Sequence, residues 1–108
     1  MIEQGDIRWL RFESPDKRRP VLVLGRNDVL PALTQIPVIP RSTQIRGLQW
    51  GVRVSIADGL PSECVLKPEW IKAIDRASLG PWIASFPHAR WNEVTIALLD
   101  VLGLPLPA

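Results

Sequence analysis

Residues 18–24, RRPVLVL, decide the fold of this 108-residue chain. The four apolar residues after Pro20 predict a buried, central strand, because a strand that is apolar on both sides must be covered on both. Arg19 stands immediately before this run. Its planar guanidinium matches two phosphate oxygens at once, and a firmly packed strand would hold it in place. The stretch therefore predicts both the centre of a sheet and a cation able to grip a phosphate.

Further strands are predicted on both sides of this run, at residues 6–12, 50–56, 64–66 and 70–74. The alternation of apolar with small or polar residues over 50–56 is the clearest strand pattern in the chain and predicts a half-buried strand. Residues 35–39 predict an edge strand or a bulged one, because Pro37 lies inside the run and proline donates no ladder hydrogen bond.

The C-terminal segment changes to helical spacing. Apolar residues recur so as to form one face of a helix over about residues 89–102, and Gly103 suits its C-terminal cap. Ile96 and Leu99 widen the apolar arc beyond one face, which predicts that part of the helix meets another chain. The whole pattern predicts a mainly β fold with α, namely a small, partly open antiparallel β-barrel closed by a C-terminal helix, in a single domain over residues 1–108.

Composition and charge limit the classes of function. Residues 1–56 hold nine basic and five acidic side chains, whereas residues 57–108 hold four and six. The basic front half is compatible with a nucleic-acid face and equally with an ordinary mixed surface. One cysteine excludes an intrachain disulfide, and a single histidine beside it argues against a zinc site. With neither a membrane-length apolar run nor a signal-peptide pattern, we expect a cytoplasmic protein without metal, cofactor or membrane attachment.

Several polar residues are candidates for chemistry, each with a plainer alternative. Arg19 can bind a phosphate and stabilise charge that builds on its oxygens, or it is an ordinary surface arginine. Ser42 and Thr43 can hydrogen-bond a phosphate oxygen or orient a nucleophile, or they are common loop chemistry. Glu69 and Lys67 can act as an acid–base pair if their surroundings shift their pKa values, or they are a solvent-facing pair.

The residues that flank each tryptophan and the histidine predict whether that side chain is buried, exposed or at the end of an element. Trp9 and Trp91 are expected in the core. Trp50 and Trp70 are the two expected to be exposed and able to stack on unpaired bases. His88 lies beside a proline where the helix should begin, so we interpret it as an end-of-element residue rather than a catalyst.

Three segments, in their order and spacing, resemble the MazF/PemK family of bacterial endoribonuclease toxins: Gly5-Asp6-Ile7-Arg8-Trp9, Arg19-Pro20-Val21-Leu22-Val23 and Pro40-Arg41-Ser42-Thr43-Gln44. The resemblance implies a symmetric dimer that cleaves single-stranded RNA at short sequences without a metal. The ribose 2′-OH would be the nucleophile, leaving a cyclic phosphate and a 5′-OH end. It also implies a cognate antitoxin whose partly disordered acidic segment folds over the RNA groove.

The resemblance also assigns roles to residues. It makes Arg19 catalytic, aligns Ser42 with the catalytic threonine of the family, and matches residues 69–72 with a later family segment. Serine at position 42, tryptophan at position 70 and a short first loop depart from the family pattern. The predicted catalytic residues are Arg19, Ser42, Thr43 and Glu69. The predicted RNA-binding residues are Lys17, Arg18, Arg41, Arg46, Lys67, Trp70 and Lys72.

Two other functions fit the same fold. A related toxin of the CcdB type inhibits a protein target such as gyrase, and a chain of this class would act through its terminal helix rather than through Arg19. A non-catalytic RNA-binding barrel would retain RNA in a salt-sensitive way and release no cleavage products.

Overall fold

The computed structural model describes residues 1–11, 19–43 and 50–105. Its described part contains a seven-stranded sheet, in which each strand pairing is antiparallel, and one long helix. The strands and the helix are β1 Asp6–Leu10, β2 Arg19–Val23, β3 Gln35–Ser42, β4 Val52–Val54, β5 Cys64–Leu66, β6 Lys72–Asp75, β7 Leu79–Ser85 and α1 Trp91–Leu102. The strand order is β4-β5-β3-β2-β1-β7, with β6 paired to β3. The predicted antiparallel β fold with a terminal helix is confirmed.

Strand β2 lies at the centre of the sheet, as its apolar run predicts. Leu22 pairs with Ile7 of β1 on one side and with Ile39 of β3 on the other, and its side chain is fully buried. It faces the core that α1 covers. Val21 and Val23 point to the opposite side of the sheet, where a second apolar core lies. Both faces of β2 are therefore covered.

Strand β3 is not the edge strand that its prolines suggest. It pairs with β2 on one side and with both β5 and β6 on the other. The Pro37 carbonyl accepts a hydrogen bond from Leu24 N at the end of the β2 pairing. The Pro40 carbonyl accepts one from Lys67 N, where the neighbour of β3 changes from β6 to β5. Pro37 thus lies at the end of the β2 ladder, although it is an internal member of the β6 ladder opposite Ala73, and Pro40 lies where β6 gives way to β5. The missing N–H groups therefore remove few strand hydrogen bonds.

Strand β4 is shorter than the alternation over 50–56 predicts. Val52 and Val54 are buried and Arg53 is exposed, as expected. Ile56, however, is 72% exposed, because a single-turn 3-10 helix, Ile56–Asp58, begins there. Ser55 and the Asp58 carboxylate form a capping box that starts this turn.

Strand β7 was not predicted as a strand. It forms by pairing with β1 across two register shifts, with Ile7 opposite Ala84. A side chain at Gly80 would place its Cβ 2.9 Å from the Trp9 carbonyl oxygen, so only glycine allows the two strands to approach this closely. The predicted strand over 70–74 begins later, at Lys72, because Pro68–Trp70 forms a 3-10 turn.

Helix α1 and its C-terminal cap agree with the prediction. Gly103 has the left-handed φ of 61° and donates its N–H to the Leu99 carbonyl. Val94 and Ala97 are buried against the sheet, whereas Ile96 and Leu99 remain 66% and 42% exposed. Among the described residues, no helix has the length and apolar character needed to cross a membrane.

Candidate functional site

An open pocket of about 320 Å³ lies at the start of β2. Strand register explains its composition, because Leu10 pairs with Arg19 and Val21 pairs with Pro40, which brings all four to one face of the sheet. The lining residues are Leu10, Arg19, Val21, Pro40, Trp70 and Lys72. The pocket therefore has an apolar floor made by three strands and two cationic side chains among its walls.

Arg19 is the residue of this pocket best placed to bind an anion. Its side chain is exposed, and within the described residues it makes neither a hydrogen bond nor an ion pair. Lys72 is exposed on the same pocket, and no carboxylate is among the described lining residues. Two cations over an apolar floor attract a phosphate more strongly than they would in bulk water, because the local dielectric is lower.

Trp70 is exposed, as predicted, and it forms one wall of the pocket. Its side chain is 43% exposed, and the Lys67 Nζ lies 3.9 Å from the centroid of its ring. Trp50 differs from the prediction, since it is half-buried and donates its indole N–H to an oxygen of Asp100 at 2.6 Å. Trp91 packs edge-on against Phe86 in the core.

The predicted hydroxyl residues lie at the end of β3. Ser42 is two residues beyond Pro40, so it points to the pocket face of the sheet, and it is half-buried. Thr43 is exposed immediately after the strand. Glu69 precedes Trp70 in the 3-10 turn but does not line the pocket. Its Oε1 is buried, with no hydrogen-bond partner among the described residues.

Arg41 is separated from Arg19 by the sheet itself. It follows Pro40 and so points to the opposite face, where it lines a small cavity of about 60 Å³ together with Cys64. Burial raises the pKa of the Cys64 thiol, and the positive charge of Arg41 opposes that shift. The Arg41 Nε is buried with no partner in the described part of the chain. Lys17, Arg18 and Arg46 lie outside the described residues.

The amino-acid sequence was compared with those of known protein families. The sequence profile of the PemK-like, MazF-like toxin of type II toxin-antitoxin systems matches residues 3–102. The chain belongs to this family. It is 40% identical to endoribonuclease MazF3 of Mycobacterium tuberculosis over 74 residues, which are 68% of this chain and 72% of that protein. The resemblance drawn from the three sequence segments is confirmed.

Solved structures of MazF toxins share the fold. The Mycobacterium tuberculosis toxin MazF-mt6 is 30% identical and superposes with a TM-score of 0.83 over 94% of this chain and 99% of that one. A mycobacterial endoribonuclease in complex with its cognate antitoxin superposes with a TM-score of 0.81 over 99% of this chain and all of that one. At 20% identity, that second likeness shows the fold alone.

The first of the three segments, Gly5–Trp9, contains two charged residues whose contacts in this MazF-like chain are with the fold rather than with the pocket. Asp6 is buried and accepts hydrogen bonds at 3.0 Å from Glu3 N and from Arg8 Nε. Arg8 also donates to the carbonyl oxygens of Gly80 and Met1. The pair ties the N-terminus to β7. Of the segment 5–11, only Leu10 reaches the pocket.

Sequence reasoning did not find the pocket floor of this toxin. Leu10, Val21 and Pro40 belong to three different strands, and only the strand register brings them together. In the described ranges 1–11, 19–43 and 50–105, no group of three or more His, Cys, Asp or Glu side chains is placed to hold a metal ion.

Proposed function

We propose that this toxin is an endoribonuclease that cleaves single-stranded RNA in the cytoplasm without a metal. The observation that carries the proposal is the position of Arg19, which is unpaired among the described residues on the wall of an open pocket with Lys72 nearby. The relative at 40% identity is named an endoribonuclease, which supports the same activity. A cognate antitoxin is proposed as the inhibitor.

Arg19 would act on the scissile phosphate. When the ribose 2′-OH attacks phosphorus, negative charge builds on the two non-bridging oxygens, and the guanidinium donates hydrogen bonds to them. The bond from phosphorus to the 5′ oxygen then breaks, which leaves a 2′,3′-cyclic phosphate and a 5′-OH end. Lys72 neutralises part of the phosphate charge, so the step needs no metal as a Lewis acid.

The remaining predicted catalytic residues would position and move protons. Ser42 on the pocket face and Thr43 just after β3 would orient the phosphate or the 2′-OH. Glu69 lies in the turn beside Trp70 and does not line the pocket, so it would accept the proton released by the 2′-OH through one bridging water. Water would donate a proton to the departing 5′ oxygen, which gives the 5′-OH end. Of the predicted RNA-binding residues, Lys72 and Trp70 line the pocket, and Lys67 lies outside the lining and would act through the Trp70 ring. Arg41 would serve a separate contact on the other face.

A second copy of the chain is proposed as a further partner. Ile96 and Leu99 leave an apolar strip on α1 exposed in the described structure. Strips of this kind on a helix surface are typical of protein–protein contacts. A homodimer that covers this strip would give two pockets per assembly.

The test is cleavage of a mixed-sequence single-stranded RNA by the purified protein in EDTA, with the fragment ends mapped. We expect cuts at defined sequences with 5′-OH ends, and a rate at least ~100-fold lower for Arg19→Ala, comparable to the loss of one preorganised oxyanion donor. Arg26→Ala is the matched control, because Arg26 is an exposed arginine that pairs with Asp28 and does not line the pocket.

Two results would contradict the proposal. An Arg19→Ala variant that cleaves as fast as the parent would remove Arg19 from the chemistry. RNA that stays intact with the parent would leave the family assignment in place and favour a protein target. Salt-sensitive RNA retention without cleavage would instead favour a binding barrel.

A further inference from the structure

We propose that Trp70 is the stacking platform for the unpaired base of the nucleotide whose phosphate Arg19 binds. The proposal rests on the proposed function in assuming that the pocket takes single-stranded RNA. Beyond that function, it states that the apolar side of the pocket recognises a base of the RNA and that Trp70 is the residue which recognises it.

The composition of the pocket favours a ligand that carries a flat apolar group next to an anion. Leu10, Val21 and Pro40 make the floor, and Trp70 makes a wall, so most of the lining is apolar. Arg19 and Lys72 are the charged groups of the same pocket. A nucleotide has this combination, because its base presents a π-face and its phosphate a negative charge.

Trp70 is held in place before any ligand binds. The Lys67 N–H donates to the Pro40 carbonyl at 2.9 Å, and the Trp70 N–H donates to the Lys67 carbonyl at 2.9 Å. These bonds fasten the 3-10 turn Pro68–Trp70 to the central strand β3. Because the backbone that carries Trp70 is already ordered, only the side chain loses conformational entropy when a base stacks on it.

Lys67 is a positioning residue for this wall. Its Nζ lies 3.9 Å from the Trp70 ring centroid, and Lys67 is not among the residues that line the pocket. The ammonium therefore acts on the ring rather than on a ligand in the pocket. A cation over the indole fixes the ring plane and draws electron density from it. An electron-rich purine, which also offers the larger stacking area, is then preferred to a pyrimidine.

The chain offers a matched control in Trp82. Its side chain is 56% exposed, so it is at least as available to solvent as Trp70, but it lies on β7 and does not line the pocket. Base stacking that depends on the pocket should require Trp70 and not Trp82.

The experiment measures binding without cleavage. Fluorescein-labelled decamers with 2′-O-methyl ribose carry adenine, uracil or no base, and their affinities are measured by anisotropy at low salt. For the parent we expect the adenine decamer to bind most tightly and the abasic decamer most weakly. Trp70→Leu should weaken adenine binding by about 5- to 150-fold, the range of one base–aromatic stack, and leave abasic binding unchanged.

Three further variants sharpen the result. Trp70→Phe should recover part of the adenine affinity, because it restores a π-face. Lys67→Met should reduce the preference for adenine over uracil without changing abasic binding. Trp82→Leu should behave as the parent with all three decamers.

The proposal is overturned if Trp70→Leu leaves adenine binding unchanged, or weakens adenine and abasic binding equally, since an equal loss reports a structural role. A parent that binds no decamer also overturns it. Equal weakening of all decamers by Lys67→Met would make Lys67 a phosphate contact instead of a positioning residue. Because this readout involves no cleavage, base-dependent binding by a protein that cuts no RNA would keep the stacking role and refute the nuclease.

Discussion

Replacing Asp6 by Ala tests whether the Gly5–Trp9 segment supports the fold or takes part in the chemistry. The Asp6 side chain is 9% exposed, and its Oδ2 accepts hydrogen bonds from Glu3 N and Arg8 Nε, both at 3.0 Å. The Arg8 side chain is 16% exposed. Removing the carboxylate would leave this guanidinium largely buried with only carbonyl acceptors.

The expected loss follows from these contacts. A hydrogen bond to a charged group contributes about 1.5–3 kcal/mol, and a buried ion pair broken on one side costs about 3–5 kcal/mol. Arg8 keeps the Gly80 and Met1 carbonyls as acceptors, which offsets part of that cost. We expect Asp6→Ala to lower the free energy of unfolding by about 2–4 kcal/mol. At roughly 4 °C per kcal/mol for a domain of this size, the Tm falls by about 8–16 °C.

The assay is urea denaturation of the parent, Asp6→Ala, Arg8→Met and the double variant. Because Arg8→Met removes the unpaired charge that Asp6→Ala leaves behind, the double variant should lose less than the sum of the single losses, by about 1 kcal/mol or more. Asp28→Ala is the control. It breaks an ion pair whose two side chains are mostly exposed, and it should change stability by less than about 0.5 kcal/mol.

The structural assignment is refuted by any of three results. A folded Asp6→Ala variant that cleaves no RNA at low temperature would place Asp6 in the chemistry. A stability loss below about 1 kcal/mol, or strictly additive losses, would show that the pair does not fasten the N-terminus.

Three other perturbations have defined outcomes. The Arg90 hydrogen bond lowers the pKa of Glu93 below its ordinary 4.5, so its stabilisation is present above that value and is lost as the pH falls through the lower folded-state pKa. Thermal melts between about pH 3 and pH 6 should therefore show less acid sensitivity for Glu93→Gln than for the parent. Gly25→Ala should cost about 1–3 kcal/mol in urea denaturation, because φ is 101° and a Cβ there would lie 2.9 Å from a leucine methyl carbon. Replacing Ile96 and Leu99 together by serine should raise the dissociation constant of a homodimer at least about tenfold in analytical ultracentrifugation with the helix content unchanged, and an unaltered constant would place the interface elsewhere.

The elements that could be predicted are those whose signal is local. The RRPVLVL run predicts a central strand because every residue after Pro20 is apolar, and β2 is covered on both faces. The helical spacing and Gly103 predict α1 and its end, since the apolar period and the left-handed cap are properties of neighbouring residues.

The elements that were missed depend on distant partners. Pro37 and Pro40 indicate an edge strand by their own chemistry, but β3 is central because β2 pairs with it on one side and β5 and β6 pair with it on the other. Strand β7 contains Gly80 and Pro81, which disfavour a strand, and it forms because β1 offers a backbone to pair with. A local sequence pattern cannot predict pairing with a strand that is distant in the chain.

The sequence by itself determined the family, the central strand, the terminal helix and the arginine before β2, because each depends on residues close together in the chain. Only the tertiary structure decided which side chains share a pocket. Register brings Leu10 and Pro40 beside Arg19, and a backbone hydrogen bond from Lys67 to Pro40 brings Trp70 to the same face. Arg41 follows Pro40 in the chain and still lies on the other side. Successive side chains of a strand point to opposite faces, so residues that are neighbours in the sequence lie on different sides of the sheet. Residues that pair across adjacent strands share one side.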